Sequence, residues 1–188
     1  NSAAATVGGA VANTNIGASD NKQSVRAALN DATITMSSSA DPSGAAGVSV
    51  KAINDANVVN LALGGGVAVS TSLVGVSAEG SVSVADVHSA TLATMNNVNL
   101  TAGSKKIEVL AQTDGDIVSS ADALSAVWGS TAEVGAGATV SVLNSDVDTK
   151  ANVNGGTWSI KSAQIDAQAN NSMYDVAMGF NVGGSTVA

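Results

Sequence analysis

A six-residue phrase that recurs three times is the feature that most restricts how this chain can fold. The three copies occupy Arg26–Asp31, Leu92–Asn97 and Lys150–Gly155, and each carries an alanine in second place. The alanines recur about every 60 residues, and self-similarity at a fixed interval is typical of stacked-repeat proteins. The repeat therefore predicts an extended scaffold of similar units rather than a pocket enzyme.

A second phrase follows each copy of the first at a similar distance. It occupies Val50–Asp55, Val109–Asp114 and Ile165–Asn170, with an alanine always in third place. Two phrases with nearly the same spacing define a module of about 60 residues. The approximate module bounds are 1–68, 69–127 and 128–188. We expect one segment of nearly three whole modules, either cut from a longer array or able to stack head to tail.

Glycine-rich segments with alternating valines point to strands. Val76–Val84 and Val134–Val142 are close copies, and Val7–Asn13 is a weaker one. Alternation of apolar and polar residues predicts strands with one face buried, and the Asn-Asp, Asn-Asn and Asn-Gly pairs between them favour tight turns. The stretch 116–127 has near-helical spacing, but its counterparts in the other modules resemble strands. We predict a strand there as well.

The composition favours a narrow, stacked core. Hydrophobic residues make up 45% of the chain but aromatic residues only 2%, so most of the apolar content is Ala and Val, which bury little area each. Cysteine is absent, which excludes a disulfide framework. The sequence predicts an all-β fold, a parallel β-helix (β-solenoid) in which each module winds two or three coils. Asn side chains at recurrent turns would form ladders between coils.

Charge and hydropathy exclude two classes of partner. The net charge is −8, and the seven basic residues are scattered, so no basic face is available to neutralise nucleic-acid phosphates. The longest apolar stretch, residues 58–69, is interrupted by Asn60 and three glycines and is too short for a transmembrane helix. We predict neither nucleic-acid binding nor a membrane span.

Candidate catalytic groups are few. His88 is the only histidine, and Asp86 lies two residues before it, on the same face of a predicted strand. Nothing signals the strained nucleophile turn of a Ser-His-Asp site, so a structural role is favoured. Asp146 and Asp148 also share a strand face and resemble the carboxylate pair of an inverting glycosidase, but no Arg or His lies nearby in sequence. We predict no catalytic residue and no enzyme.

Other polar and aromatic residues give weaker signals. Asp114 and Asp116 flank a glycine and are weak calcium candidates, although structural turn residues are the simpler interpretation. No cofactor pattern is present, and we predict no other metal site. Trp158 aligns with Ile34 and Leu100 in the other modules, which favours packing over binding. Trp128 has no counterpart of similar size and is the candidate contact residue.

The order of motifs in the third module resembles that of a known family. Val134–Asn171 combines Val-Gly-x-Gly, a Val-Ser-Val-x-Asn strand, Lys-Ala-x-Val-Asn-Gly and an Ile-x-Ala-Gln strand, and it is similar to the repeats of large leukotoxin-type filamentous adhesins of anaerobic bacteria. Those resemble haemagglutinin-like exoproteins and autotransporter passengers. The resemblance implies a right-handed β-solenoid exported to the bacterial cell surface. The insert at Met36–Gly47, which contains Pro42, departs from the pattern and is predicted to project as a loop.

Three functions follow as hypotheses. The first is a structural and adhesive cell-surface fibre segment, whose partners are neighbouring modules and a host or bacterial surface glycan or protein. The second is a self-assembling extracellular filament subunit that stacks on copies of itself. The third, motivated by Asp146 and Asp148, is a polysaccharide-active β-helix enzyme.

Overall fold

The described part of the chain is built from strands. The computed structural model describes residues 3–36, 46–69, 74–103, 105–128 and 132–184, and within them there are no helices. Four of the strands are 23 residues long, because the alternating sequence continues without a breaker on both sides of each module's midpoint. The strands are β1 Ala3–Ile16, β2 Gln23–Asn30, β3 Thr33–Thr35, β4 Ala46–Asp55, β5 Val58–Val69, β6 Val74–Asn96, β7 Asn99–Thr101, β8 Lys106–Trp128, β9 Ala132–Asn154, β10 Trp158–Ser159 and β11 Ser162–Gly184.

The strands form three parallel sheets. The first long sheet places β6 between β9 on one side and β1 followed by β2 on the other. The short sheet has the order β10-β7-β3. The second long sheet places β8 between β11 and the pair β4 and β5. The prediction of an all-β fold with parallel strands is confirmed.

The repeats lie directly on top of one another. Ala27 pairs with Ala93, and Ala93 pairs with Ala151, so the first phrase forms a column across three neighbouring strands. The second phrase does the same through Ala52, Ala111 and Ala167. One repeat of about 60 residues therefore separates two residues that are neighbours on adjacent strands of the same sheet.

The expectation of two or three coils per module is wrong. Each module passes once through the first long sheet, once through the short sheet and once through the second long sheet before the next module begins. The physical reason is strand length, since two 23-residue strands and one short strand use nearly all of a module. The predicted bounds between modules fall beside residues 70–73 and 129–131, which lie outside the described residues, as do residues 37–45 of the predicted projecting loop and its Pro42.

The half of the molecule next to the short sheet has an ordinary apolar core. We call it the core half. Here the two long sheets and the short sheet enclose Met95, Leu100, Ile107 and Val109, all 2% exposed or less. Polar side chains of the same strands, such as Gln112, point outward. This half carries most of the large buried apolar side chains and so most of the hydrophobic stabilisation.

The remote half has the opposite pattern. We call it the thin half, and it comprises β1, β5, the first half of β6 and β9, and the second half of β8 and β11. Most of its inward side chains are small or polar, although Val58, Ile117 and Val127 are buried there. Ser83 Oγ lies 2.8 Å from Ser119 Oγ of the facing sheet. Asn60 Nδ2 donates to Ser83 Oγ at 3.0 Å and to the Val84 carbonyl at 2.7 Å. Small side chains allow the two sheets to approach closely, and most of the larger apolar side chains lie on the outer faces.

Asparagines at the turns form the predicted ladder. Asn96 Nδ2 donates to Asn30 Oδ1 at 2.8 Å, and the next residue, Asn97, donates to Asp31 Oδ1 at 2.9 Å. Asp31 and Asn97 have φ of 50° and 51°, and the glycine at the same turn of the third module, Gly155, has φ of 68°. Asn, Asp and Gly tolerate this left-handed conformation better than other residues. The strand predicted at 116–127 is also confirmed as part of β8.

Candidate functional site

The clearest polar cluster lies on the outer face of the first long sheet. His88 of β6 pairs in register with Asp146 of β9, and two positions further along Ala90 pairs with Asp148. His88 Nε2 lies 2.9 Å from Asp86 Oδ1, so these two residues do share a face as predicted. Asp86 Oδ1 also accepts a hydrogen bond from Asn144 Nδ2 at 2.9 Å. Four polar side chains from two modules are therefore held together.

A loop of the first module lies over His88. Residues 17–22 connect β1 to β2, whereas β6 continues straight through the equivalent position. Gly17 begins the loop with φ of 69°, and Ala18 and Asn21 exchange two backbone hydrogen bonds of 3.0 Å. A Cβ on Gly17 would lie 2.3 Å from the His88 carbonyl oxygen, so only glycine allows the loop to pass this close. The loop explains why His88 is only 7% exposed.

Lys22 at the end of the loop joins the first module to the third. Its Nζ lies 2.7 Å from Asp146 Oδ1 and donates to Asp148 Oδ2 at 2.9 Å. Lys150 adds a longer ion pair of 3.4 Å to Asp148. These bonds span the middle module, which makes Lys22 a clamp across the three stacked strands.

The clamp fixes the charge state of the two carboxylates. Hydrogen bonds from Lys22 are the largest cause that lowers the pKa of Asp146 and that of Asp148 below the ordinary 3.8. The same bonds raise the pKa of Lys22 above 10.5. An inverting glycosidase needs one carboxyl group with a raised pKa to protonate the leaving group. The pKa of neither aspartate is raised.

A nucleophilic arrangement around His88 is not formed by the described residues. His88 Nδ1 is buried without a hydrogen-bond partner, and its nearest carboxylate atom is Asp146 Oδ2 at 3.7 Å. No described serine hydroxyl donates to either ring nitrogen. The geometry gives His88 a role in packing beneath the loop and in contact with Asp86.

The calcium candidates are separated by a bend. Gly115 has φ of 156° and lies between Asp114 and Asp116, and a Cβ there would come within 2.1 Å of the Ala56 carbonyl oxygen. The Asp114 carboxylate accepts a hydrogen bond from Gln112, and the Asp116 backbone N–H donates to Asn57 Oδ1 at 2.8 Å. No group of three or more His, Asp or Glu suited to a metal occurs among the residues described. Calcium binding at this bend stays a prediction.

The predicted contact residue, Trp128, lies at the edge of a large apolar surface. Its side chain is 48% exposed, and its neighbours in register are Val69 and Gly184. The outer face of the thin half of the second long sheet, which we call the leucine face, consists mostly of exposed apolar side chains. They are Val59, Leu61, Leu63, Val67, Val69, Leu124, Trp128, Tyr174, Val176, Met178, Phe180 and Val182.

A second apolar surface lies on the opposite side of the thin half. The outer face of the first long sheet there, which we call the valine face, exposes Val7, Val11, Val74, Val76, Val134, Val140 and Val142. Eleven or twelve residues on each of three strands make either face about 40 Å long and about 14 Å wide. Apolar patches of this size on a protein surface mark interaction sites.

Trp158 is placed as the repeat alignment predicts. It pairs with Leu100 of β7, which in turn pairs with Ile34 of β3. Its side chain is half-buried against the core, and Nε1 donates to the Val98 carbonyl at 3.0 Å. Its role in packing is confirmed.

The sequence alone did not identify Lys22 or the two apolar faces. Lys22 lies 126 residues from Asp148, and only the loop insertion relative to the other modules signals it. The apolar faces were missed because alternation alone does not say which side of a strand faces inward. The excess of serine, glycine and alanine at alternate positions was the available signal, since only small side chains fit between close sheets.

Comparisons with protein families, curated proteins and solved structures found no match to this chain. No helix long and apolar enough to cross a membrane occurs in the part of the chain that is described.

Proposed function

We propose that this chain is a segment of a β-solenoid that acts as a stiff structural spacer and contact surface in a bacterial cell-surface fibre of the filamentous-adhesin type. The observation that carries the proposal is the continuous register of the three modules, in which equivalent residues stack in columns through every sheet. An object that grows by adding identical layers is suited to spanning distance. The placement at the cell surface rests on the family resemblance of the sequence.

The exposed layer of the third module supports further stacking. Val109 is 0% exposed in the second module, but Ile165, the next residue of the same column, is 47% exposed. Nothing in the described chain covers the outer edge of β9 or of β11, and β1 and β4 present the complementary edge at the other end. Parallel edges of this length pair readily with matching strands. A further module, or a second copy of the chain, would bury the exposed layer.

Ala177 provides a direct test of stacking. It lies in one inward column with Ala62 and Ala121, which are 2% and 0% exposed, while Ala177 itself is exposed. In a directly joined tandem of two copies, we expect Ala177→Lys in the first copy to lower the unfolding midpoint strongly, because the lysine would be buried under the second copy. The same change in a single copy should have little effect.

Gln168→Lys is the matched control, since Gln168 lies on the same strand but faces solvent. Equal unfolding midpoints for the two tandem variants would refute stacking. Light scattering and electron microscopy of the single chain then decide between the two forms of the proposal. Filaments that Ala177→Lys abolishes favour the self-assembling subunit, and a strict monomer at high concentration favours a window of a longer array.

The contact role is favoured by the leucine and valine faces. Large apolar side chains are exposed on both sides of the thin half, while the outer face of the core half is mostly polar, with Ile53 as an exception. Such faces would bind other fibres or a protein surface. Leu61→Ser and Leu63→Ser should weaken any concentration-dependent side-by-side association at least tenfold without changing the circular dichroism spectrum.

The enzymatic alternative is weaker. Lys22 lowers the pKa of both Asp146 and Asp148, so neither carboxyl group is suited to act as the general acid. We therefore propose a non-catalytic role for these residues. Cleavage of a uronate polymer that is lost in Asp148→Asn would contradict it.

A further inference from the structure

A carboxylate is enclosed inside the thin half without a partner. Glu79 of β6 points between the two long sheets and is 5% exposed. No hydrogen-bond donor of the described residues reaches either of its carboxylate oxygens. Two positions along the same inner face, Ser81 is 1% exposed, and its hydroxyl also lacks a partner. Three oxygen atoms on the same inner face of β6 are thus buried and lack hydrogen-bond partners.

The surrounding glycines shape a pocket for this carboxylate. A Cβ on Gly66 would lie 1.5 Å from Glu79 Oε1, and a Cβ on Gly8 would lie 2.4 Å from Oε2. Gly66 belongs to β5 and Gly8 to β1, so the side chain of the second module reaches into the first between both of its sheets. Any larger residue at either position would occupy the space that the carboxylate uses.

A backbone carbonyl oxygen, which is also a hydrogen-bond acceptor, lies close to the carboxylate. The Gly65 carbonyl oxygen lies 2.9 Å from the same Gly8 Cβ position that is 2.4 Å from Glu79 Oε2. Both oxygens therefore lie within 2.9 Å of one point between β1 and β5. Acceptors that share a buried site repel each other unless a proton or a cation lies between or beside them. No lysine or arginine of the described chain is paired with Glu79.

We propose that Glu79, Ser81 and the Gly65 carbonyl form an interior binding site for a hard cation, of which Ca²⁺ is the type. Carboxylate, hydroxyl and carbonyl oxygens are the ligands that such cations prefer. The site joins β1, β5 and β6, so a bound cation links the first module to the second. It is distinct from the bend at Asp114 and Asp116. With one carboxylate, the affinity is expected in the range of extracellular modules, with a Kd of about 0.1 to 1 mM.

The test is calcium-dependent stability of the metal-free chain. After dialysis against EDTA, thermal unfolding is followed by circular dichroism in 10 mM CaCl₂ and in NaCl of equal ionic strength. We expect calcium to raise the unfolding midpoint of the wild type by about 5 °C, since ligand binding to the folded state stabilises it. Light scattering at the same concentrations shows whether the chain stays monomeric, so that stacking does not account for the shift.

Variants locate the effect. Glu79→Gln keeps the size of the side chain and removes its charge, and it should abolish the calcium shift. The double variant Asp114→Asn, Asp116→Asn should keep the shift. Should Glu79→Gln fail to fold, Ser81→Ala together with calorimetric titration of calcium into the wild type serves the same purpose, with binding weakened several-fold.

Three results would overturn the proposal. One is a wild type that neither binds calcium in the titration nor gains stability from it. Another is a shift that survives in Glu79→Gln but disappears in the Asp114 and Asp116 variant, which would place calcium at the bend. The third is a Glu79→Gln chain more stable than the wild type in both salts, because its amide would then donate to the Gly65 carbonyl without any cation.

Discussion

Single residues of the thin half are matched by size across the interior. Glu79 fills the space beside Gly8 and Gly66. Gly65, which precedes Gly66 on β5, faces outward and has nothing within 4 Å of its Cβ position. Two adjacent glycines on one strand therefore have different reasons to be glycine. At Gly66 the reason is the side chain from the next module, whereas Gly65 has room for a larger residue.

Alanine substitutions test this difference. We expect Gly66→Ala to lower the free energy of unfolding by about 1 to 3 kcal/mol, because the enclosed Glu79 carboxylate has to move. Gly65→Ala, the neighbouring control, should change it by no more than about 0.5 kcal/mol. Urea unfolding measures both, and Glu79→Ala in the Gly66→Ala background should restore part of the loss. Equal losses at the two glycines would contradict the interior placement of Glu79.

Lys22 gives a prediction in the pH dependence of stability. Because the folded-state pKa values of Asp146 and Asp148 lie below 3.8, their contribution is present above that pH and is lost as the pH falls through the folded-state values. The pKa of Lys22 is raised above 10.5, so its contribution is present below 10.5 and is lost as the pH rises further.

Lys22→Met should therefore be less stable than the wild type at pH 6 and should approach it below pH 3. Urea unfolding at the two pH values measures the difference. Lys161→Met serves as the control, since Lys161 is exposed and its ammonium takes part in no described ion pair. A Lys22→Met deficit of the same size at pH 2 would show that the loop acts by packing rather than by charge.

At the scale of elements, turns are fixed by residue type and strands by their neighbours. Strand existence follows from the alternation of Val with Ser and Thr, and the turn ladder follows from the recurrent Asn residues. The number of coils per module was not predictable, since no residue pattern tells a 23-residue strand from two shorter ones joined by a turn. The loop at 17–22 shows the contrast, because the first module breaks where the second continues.

The left-handed turn at Asn97 yields a prediction at this scale. Asn97→Ala should cost about 1 kcal/mol of unfolding free energy, because alanine is disfavoured at φ of 51° and the bond to Asp31 is lost. Asn97→Gly should cost less, as Gly155 occupies the same turn in the third module. Chemical denaturation distinguishes them, and a glycine variant less stable than the alanine variant would rule out backbone conformation as the cause.

At the scale of the whole molecule, the two halves use apolar residues in opposite ways. Leu100 is 2% exposed in the core half, whereas Leu63 is 67% exposed on the leucine face. Stability is thus concentrated near the short sheet, whereas the thin half leaves its large apolar side chains exposed. In the fibre that we propose, the core halves would form a rigid side and the thin halves would carry the contact surfaces.

A matched pair of leucine substitutions tests this division. Leu100→Ala should lower the free energy of unfolding by about 2 to 5 kcal/mol, as expected for a buried leucine. Leu63→Ala should change it by no more than about 0.5 kcal/mol, because the side chain is already in water. Thermal or urea unfolding of both variants gives the comparison. A large loss at Leu63 would mean that the leucine face points inward.

The sequence by itself determined the strand content, the parallel stacking of equivalent residues and the turn chemistry, because each depends on local pattern and on the spacing of repeats. Tertiary structure decided how many coils each module forms, which side of each strand in the thin half faces inward, and which charged residues form ion pairs. These depend on strand length, on how closely two sheets approach and on contacts between residues more than a hundred positions apart, such as Lys22 and Asp148. The periodicity of the sequence does not predict these three features.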